Sequence, residues 1–197
     1  MPKVVSGYKE EAKKRIIAAG VEVMSKKGYC QTTMDDIASY LGVTKGTLYI
    51  YFRTKDELVV EIVRTTHAEI RAMVAELQPN LDPVAAFTAV FDRLLDNDIR
   101  RTSFFFEILA MTGRNEEIRS ILSEDIHQSM DLAGRGISRL QKEGKIRPDA
   151  DPRTLALGLF SLMSGLNSFH LRGMDKEELR ERWREIAPII LGGNPGS

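Results

Sequence analysis

The chain has 197 residues, with 28 Lys and Arg balanced by 28 Asp and Glu, so its formal net charge is zero; this excludes a polycationic tail and an acidic, solvating chain. Hydrophobic residues make up 43% and charged residues 28%, ordinary values for a chain that buries a core. The lone cysteine, Cys30, cannot form an intramolecular disulfide, and a reducing cytoplasm is the expected setting.

The N-terminal stretch MPKVVSGYKEEAKK lacks an apolar segment, so no secretory signal is expected. The uncharged run from Leu155 to His170 is shorter than the ~20 residues that span a bilayer, so no membrane association is expected. Charge is unevenly spread. Residues 1–58 hold ten Lys and Arg against seven acids, a local excess of +3 that suits a surface facing phosphates.

Apolar residues recur with the helical period almost throughout, and no segment alternates like a strand. A first helix is expected from Tyr8 to Lys27, with Ile16, Ala19, Gly20 and Val23 on one face and Gly28 closing it. Thr33 is placed to cap a second, short helix in which Met34, Ile37, Ala38 and Leu41 share a face. Gly42 stops it, and Thr44 can cap a third through about Tyr51. Thr54-Lys55-Asp56-Glu57 reads as a capping box opening a long helix that ends near Pro79. Asp82-Pro83 then opens a helix to about Arg100, and Ser103 to Met111 forms a short one. Asn115-Glu116-Glu117 starts a helix ending at Gly144, Asp151-Pro152 starts one to Leu171, and Asp175 with Glu178 starts the last, to Leu191. The expected fold is all-α with nine helices.

Two helices joined by a short glycine-containing turn form a helix-turn-helix. It needs a small residue where the helices cross, a turn glycine and an apolar lock in the second helix. Ala38, Gly42 and Leu48 supply these. At about 100° per residue, with Leu48 facing inward, Thr44 and Phe52 fall near it and are expected to be buried or half-buried. Gly46 and Ile50 point away, with Lys45 and Tyr49 on one flank and Thr47 on the other. Gly, Ile, Thr, Lys and Tyr make an odd water-facing surface but suit a major groove. Gly46 admits close approach, Lys45 can donate to guanine, Ile50 can touch a thymine methyl, and Thr47 and Tyr49 can donate to phosphates. Tyr51, about 60° from the inward direction on the same wheel, can either pack or touch phosphate.

Residues 12 to 58 resemble the DNA-binding domain of the TetR/AcrR family of transcriptional repressors. The resemblance rests on Arg15-Ile16-Ile17-Ala18-Ala19, Gly28-Tyr29, Thr32-Thr33, Asp36-Ile37-Ala38, Leu41-Gly42-Val43, Gly46-Thr47-Leu48-Tyr49, Tyr51-Phe52 and Lys55-Asp56-Glu57-Leu58. It implies that Thr33 caps the second helix while contacting phosphate, that Lys45, Gly46, Thr47 and Tyr49 form the reading face, and that Lys55 sets its helix terminus on the backbone; Thr44, just before the reading helix, is counted with the DNA-binding residues. It also implies a homodimer on a palindromic double-stranded operator, with residues 1–53 as the DNA-binding domain and 54–197 as a ligand-binding and dimerisation domain. Met24 and Cys30 depart from the family pattern without threatening it.

Cys30 is expected to be inert, since nothing nearby in sequence would lower a thiol pKa. His67, His127 and His170 lack metal-site spacing, so no metal or other cofactor is expected. G-x-S-x-G, a glycine-rich phosphate loop, His-Glu-x-x-His and Cys-x-x-Cys are all missing, and Gly134-Arg135-Gly136 lacks the strand a dinucleotide loop requires, so an enzyme is not expected.

In the penultimate helix Leu155, Leu159, Leu162, Leu166 and Phe169 form a large stripe, with Gly158, Ser161, Gly165 and Ser168 beside it. The large stripe is expected to pack on its own subunit. The small one, together with Trp183 of the last helix, is expected to meet a second copy in a four-helix dimer interface. Phe87, Phe91, Phe104, Phe105, Phe106, Leu109, Met111, Met130 and Met163 exceed what a compact core needs, although each alone is an ordinary core residue. With the resemblance, Phe91, Phe105, Leu109, Met111, Met130, Met163 and Asn167 are expected to line a pocket for a small apolar or amphipathic effector, with His127 or His170 as further polar groups. The effector would shift the chain toward a conformation with separated recognition helices. Two functions remain open: a ligand-responsive dimeric repressor, or a DNA-bound protein whose main partner is another protein.

Overall fold

The structure, a computed structural model, describes residues 4–76 and 83–192, and these form nine α-helices and no strand. They are α1 (Val4–Lys27), α2 (Met34–Leu41), α3 (Lys45–Tyr49), α4 (Lys55–Glu76), α5 (Pro83–Leu95), α6 (Ile99–Met111), α7 (Glu116–Lys142), α8 (Pro152–Leu171) and α9 (Lys176–Leu191). The all-α expectation is met. Local chemistry sets most ends. Asp151 accepts the Thr154 N–H at 2.8 Å, and Asp175 accepts those of Glu177 and Glu178 at 2.8 and 3.4 Å. Gly28 closes α1 at φ +79°, a conformation that side chains disfavour.

Three boundaries differ from expectation. α1 begins four residues earlier, at Val4, and α3 ends at Tyr49 rather than Tyr51. The helix expected from Pro83 to Arg100 breaks at Asp96-Asn97-Asp98, and α6 takes up the chain from Ile99. Asp and Asn side chains compete with helical hydrogen bonds, and three in a row end one helix and start the next. The expected end near Pro79 and the Asp82 cap lie outside the described residues.

The helices build two compact units. The first comprises Met1–His67 and Arg100–Leu122. In its core Met24, Ile37, Leu48, Leu58 and Ile62 are fully buried together with Phe104, Ile108 and Ile118 from α6 and α7. Helices as short as α2 and α3 have no independent stability and are held by this core. A Cβ on Gly20 would lie 3.1 Å from both Ile62 and Leu58, so the glycine lets α1 lie close on α4. The expected boundary between residues 53 and 54 falls inside this unit.

The second unit comprises Ala68–Ile99 and Ser123–Ser197. At its centre Trp183 stacks on Phe91, centroids 4.6 Å apart and planes 11° from parallel. Trp183 Nε1 donates to Thr88 Oγ1 at 2.9 Å. Arg180 of α9 reaches Asp92 at 3.1 Å and Asp96 at 2.5 Å, fastening α9 to the end of α5. Arg71 and the buried Asp125 pair α4 with α7.

Two inward and outward assignments are corrected. Trp183, expected at a dimer interface, is wholly buried in its own unit, because its ring needs the Phe91 face and its N–H needs Thr88. Phe169, expected on the inward leucine stripe, is exposed and lies under the Arg172 guanidinium at 5.3 Å. Its place on the helix wheel carries it past the buried edge set by Leu155, Leu159, Met163 and Leu166. Among the described residues, no helix is long and apolar enough to cross a membrane.

Candidate nucleic-acid interface

The Thr33 hydroxyl accepts the Asp36 N–H at 3.2 Å and Asp36 accepts the Thr33 N–H at 2.9 Å, a reciprocal box that fixes the start of α2. Gly42, at φ +69°, turns the chain, and the Val43 N–H donates back to Ala38 O at 3.0 Å. The Thr44 hydroxyl then accepts the Thr47 N–H at 3.3 Å and meets the Thr47 hydroxyl at 2.9 Å. Leu48 and Phe52 anchor the other side of α3 in the core.

This turns Thr44, Lys45, Gly46, Tyr49 and Ile50 to solvent, with Thr47 half-buried and Thr33 exposed nearby. Ile50 is 71% exposed, an unusual position for an apolar side chain with no partner. A Cβ on Gly46 would meet only Thr44 Oγ1, at 3.8 Å, so the backbone is open to approach. Thr44, expected to be buried or half-buried, is exposed, because its cap position precedes the helix and departs from the wheel. Tyr51 packs half-buried against the first core.

The cations of this face are held by acids of α2. Lys45 Nζ lies 2.7 Å from Asp35, which raises the lysine's pKa, and Lys27 Nζ lies 2.6 Å from Asp36. The Lys27 ammonium and then the Thr33 N–H lower the Asp36 carboxyl from 3.8 to about 2. A depressed carboxyl favours the folded state above its unfolded pKa, and that advantage fades as pH falls toward its folded value. The wild type is therefore expected to exceed Asp36→Asn in urea midpoint at pH 5 and to match it near pH 2, where Asp36 becomes protonated.

Lys55, expected against DNA, is turned inward. Its Nζ donates to the Tyr29 and Thr32 carbonyls at 2.6 and 2.8 Å and sits 4.0 Å from the Tyr29 ring centroid. The box at Thr54 is also modified. Thr54 Oγ1 accepts the Glu57 N–H at 3.0 Å, but Glu57 takes the Arg53 N–H, at 2.7 Å, one residue before the cap.

The loop that carries α2 is braced from α6 by Glu107, which sequence reading did not single out. Its carboxylate accepts the Tyr29 N–H at 2.8 Å and the Cys30 N–H at 3.4 Å, just beyond the left-handed Gly28. Tyr29 Oη donates to Asp56, which also accepts Asn115 Nδ2 at 3.3 Å. Burial, then the Asp56 hydrogen bond, pushes the Tyr29 hydroxyl above its ordinary range. A separation of 78 residues hides the Glu107 contact from local pattern reading. Glu107→Ala is expected to cost about 1.5–3 kcal/mol, the range for hydrogen bonds to a charged group. Hydrogen exchange at the Tyr29 amide is expected to accelerate; unchanged protection would show that the brace contributes nothing.

The residues expected around an effector divide between the cores. Phe105 and Met111 pack half-buried on the first, while Leu109 is exposed. Phe91, Met130 and Met163 belong to the second core, and Asn167 is buried on α8. Of the expected dimer stripe, Ser161 is exposed and Gly158, Gly165 and Ser168 are half-buried. A Cβ on Gly158 would meet Ile190 at 3.5 Å, so this glycine faces α9 of its own chain. His127 and His170 engage the Ser123 and Met174 carbonyls at 2.6 and 3.3 Å, and no group of three potential metal ligands occurs among the described residues.

The family model for bacterial regulatory proteins of the tetR family matches residues 16–62. The chain is 30% identical to the probable HTH-type transcriptional regulator ArpR of Pseudomonas putida, with 94% of each covered. It is 29% identical to the HTH-type transcriptional regulator TtgR, also of Pseudomonas putida, again over 94% of each. Among solved structures it resembles the Bacillus subtilis regulator FadR in complex with stearoyl-CoA, with TM-score 0.76, 20% identity and coverage of 92% and 98%. A Saccharomonospora viridis regulator in complex with choline gives TM-score 0.75 and 24% identity, covering 90% of this chain and 95% of that one.

Proposed function

Because the chain belongs to the tetR family of bacterial transcriptional regulators, we propose that it is a dimeric repressor released from a palindromic operator by a small apolar or amphipathic effector. The outward face of α3 carries this reading. An exposed cation, an open glycine backbone and an unpartnered isoleucine together match what a major groove offers. Residues 1–53 contain the reading helices, with Lys45, Gly46, Thr47, Tyr49 and Ile50 toward bases or adjoining phosphates and Thr33 and Thr44 at the backbone. Residues 54–197 supply effector binding and dimerisation. Two similar structures hold stearoyl-CoA and choline, which supports the binding of a small molecule.

Dimerisation is supported by apolar side chains that α8 and α9 leave exposed, Leu157, Phe169 and Ile189, and by the small residues Ser161, Gly165 and Ser168 of α8. Sedimentation at micromolar concentration is expected to give a dimer, and Leu157→Glu with Ile189→Glu a monomer. A wild-type monomer would remove the dimer from the reading. The function itself is tested by selecting from a random double-stranded DNA pool at fixed salt, because phosphate contacts make affinity salt-dependent. A palindromic site is expected. If no sequence is enriched, the repressor reading fails and a protein partner becomes the better assignment.

A further inference from the structure

Among the described residues of the second unit, two polar side chains are buried, Asp125 and Asn167. Asp125 is engaged by Arg71. Asn167 lies on α8, and its Nδ2 donates to the Met163 carbonyl, one turn back, at 3.0 Å. A carbonyl only accepts, so the amide cannot be turned over, and its Oδ1 must face away from Met163. That oxygen is buried and has no donor. The α8 backbone cannot supply one, since its N–H groups are committed to the helix. Buried amide oxygens nearly always have partners, and one left open in apolar surroundings binds a donor more strongly than it would in water.

We propose that Asn167 Oδ1 is the polar anchor of the effector site and receives the hydrogen bond of a neutral ligand carrying one hydroxyl or N–H on an apolar body. This rests on the reading that the second region binds a small effector. A carboxylate would set oxygen against oxygen, and a quaternary ammonium has no N–H to give. Asp125, the one buried acid among the described residues of this unit, already has its cation, which leaves no buried charge among them for an ionic ligand to pair with. Met130 and Met163 of the second core are unbranched and adapt to an inserted apolar body at low cost.

Decan-1-ol and its isomer methyl nonyl ether test this, because they differ in donating ability but not in composition. Fluorescence of Trp183, the only tryptophan and buried in the same unit, reports binding to the full chain. The alcohol is expected to bind about five- to tenfold more tightly than the ether, the worth of about one hydrogen bond, and decanoate more weakly than the alcohol. In Asn167→Leu, alcohol and ether are expected to bind alike. Equal binding of the isomers by the wild type, a preference that survives in Asn167→Leu, or no binding of either isomer overturns the proposal. The wild-type comparison decides alone if the variant does not fold. Operator affinity measured in parallel separates the two readings. Alcohol-selective binding that leaves operator affinity unchanged defeats effector release and keeps the anchor. Release by another compound with no alcohol preference defeats the anchor alone.

Discussion

Trp183→Ala is expected to destabilise the second unit by about 3–5 kcal/mol, the range for truncating a large aromatic in a core. The ring is fully buried, so the lost contacts leave a cavity beside Phe91 rather than a relaxed surface. Trp183→Phe retains an aromatic face for Phe91 but loses the donor to Thr88, and is expected to cost less, with about 1 kcal/mol from the hydrogen bond. Urea unfolding followed by helical circular dichroism checks both. A residue at a subunit interface would behave differently: its loss would dissociate the dimer while leaving the folded protomer largely intact. A loss below about 1 kcal/mol in the alanine variant would contradict the buried stack.

Lys45→Ala is expected to weaken operator binding about 10- to 100-fold, corresponding to about 1–3 kcal/mol for a base-edge contact. The fold should be unaffected, because the side chain is half exposed and its ionic partner, Asp35, is at least as accessible. Asp35→Ala has the opposite sign. It frees the Lys45 ammonium and is expected to tighten binding to DNA of any sequence, narrowing the margin by which the operator is preferred. Titrations of operator and scrambled duplex at two salt concentrations check both variants. Unchanged affinity in Lys45→Ala would remove this lysine from the reading face.

Helix starts were legible because caps are local: Thr33, Thr44, Asp151 and Asp175 each bond an amide within three residues. The turn at Gly42 and the burial of Ala38 and Leu48 were legible for the same reason, since a fixed spacing determines how two short helices cross. The break at residues 96–98 was obscured because apolar residues continue on both sides of three polar ones. Orientation was harder. Trp183 has the right period for either face of α9, and only Phe91 and Thr88, more than 90 residues earlier, decide which one. Lys55 looked like a phosphate ligand until the Tyr29 and Thr32 carbonyls came within reach. Glu107 carries no local signal at all, since an acid in mid-helix is ordinary until a distant loop presents two amides to it.

The pairing of lysines in the first unit bears on how an operator would be found. Lys13, Lys26, Lys27 and Lys45 each rest on a carboxylate, and Lys55 is spent on backbone carbonyls. Bulk DNA attracts proteins through unpaired cations, so each lysine that already has a partner weakens the hold on a random duplex. Every such pairing shortens the slides of the protein along the helix and makes its encounters briefer. What it gives up in scanning distance it regains in discrimination, because few copies are held on the vast excess of sites that are not its own.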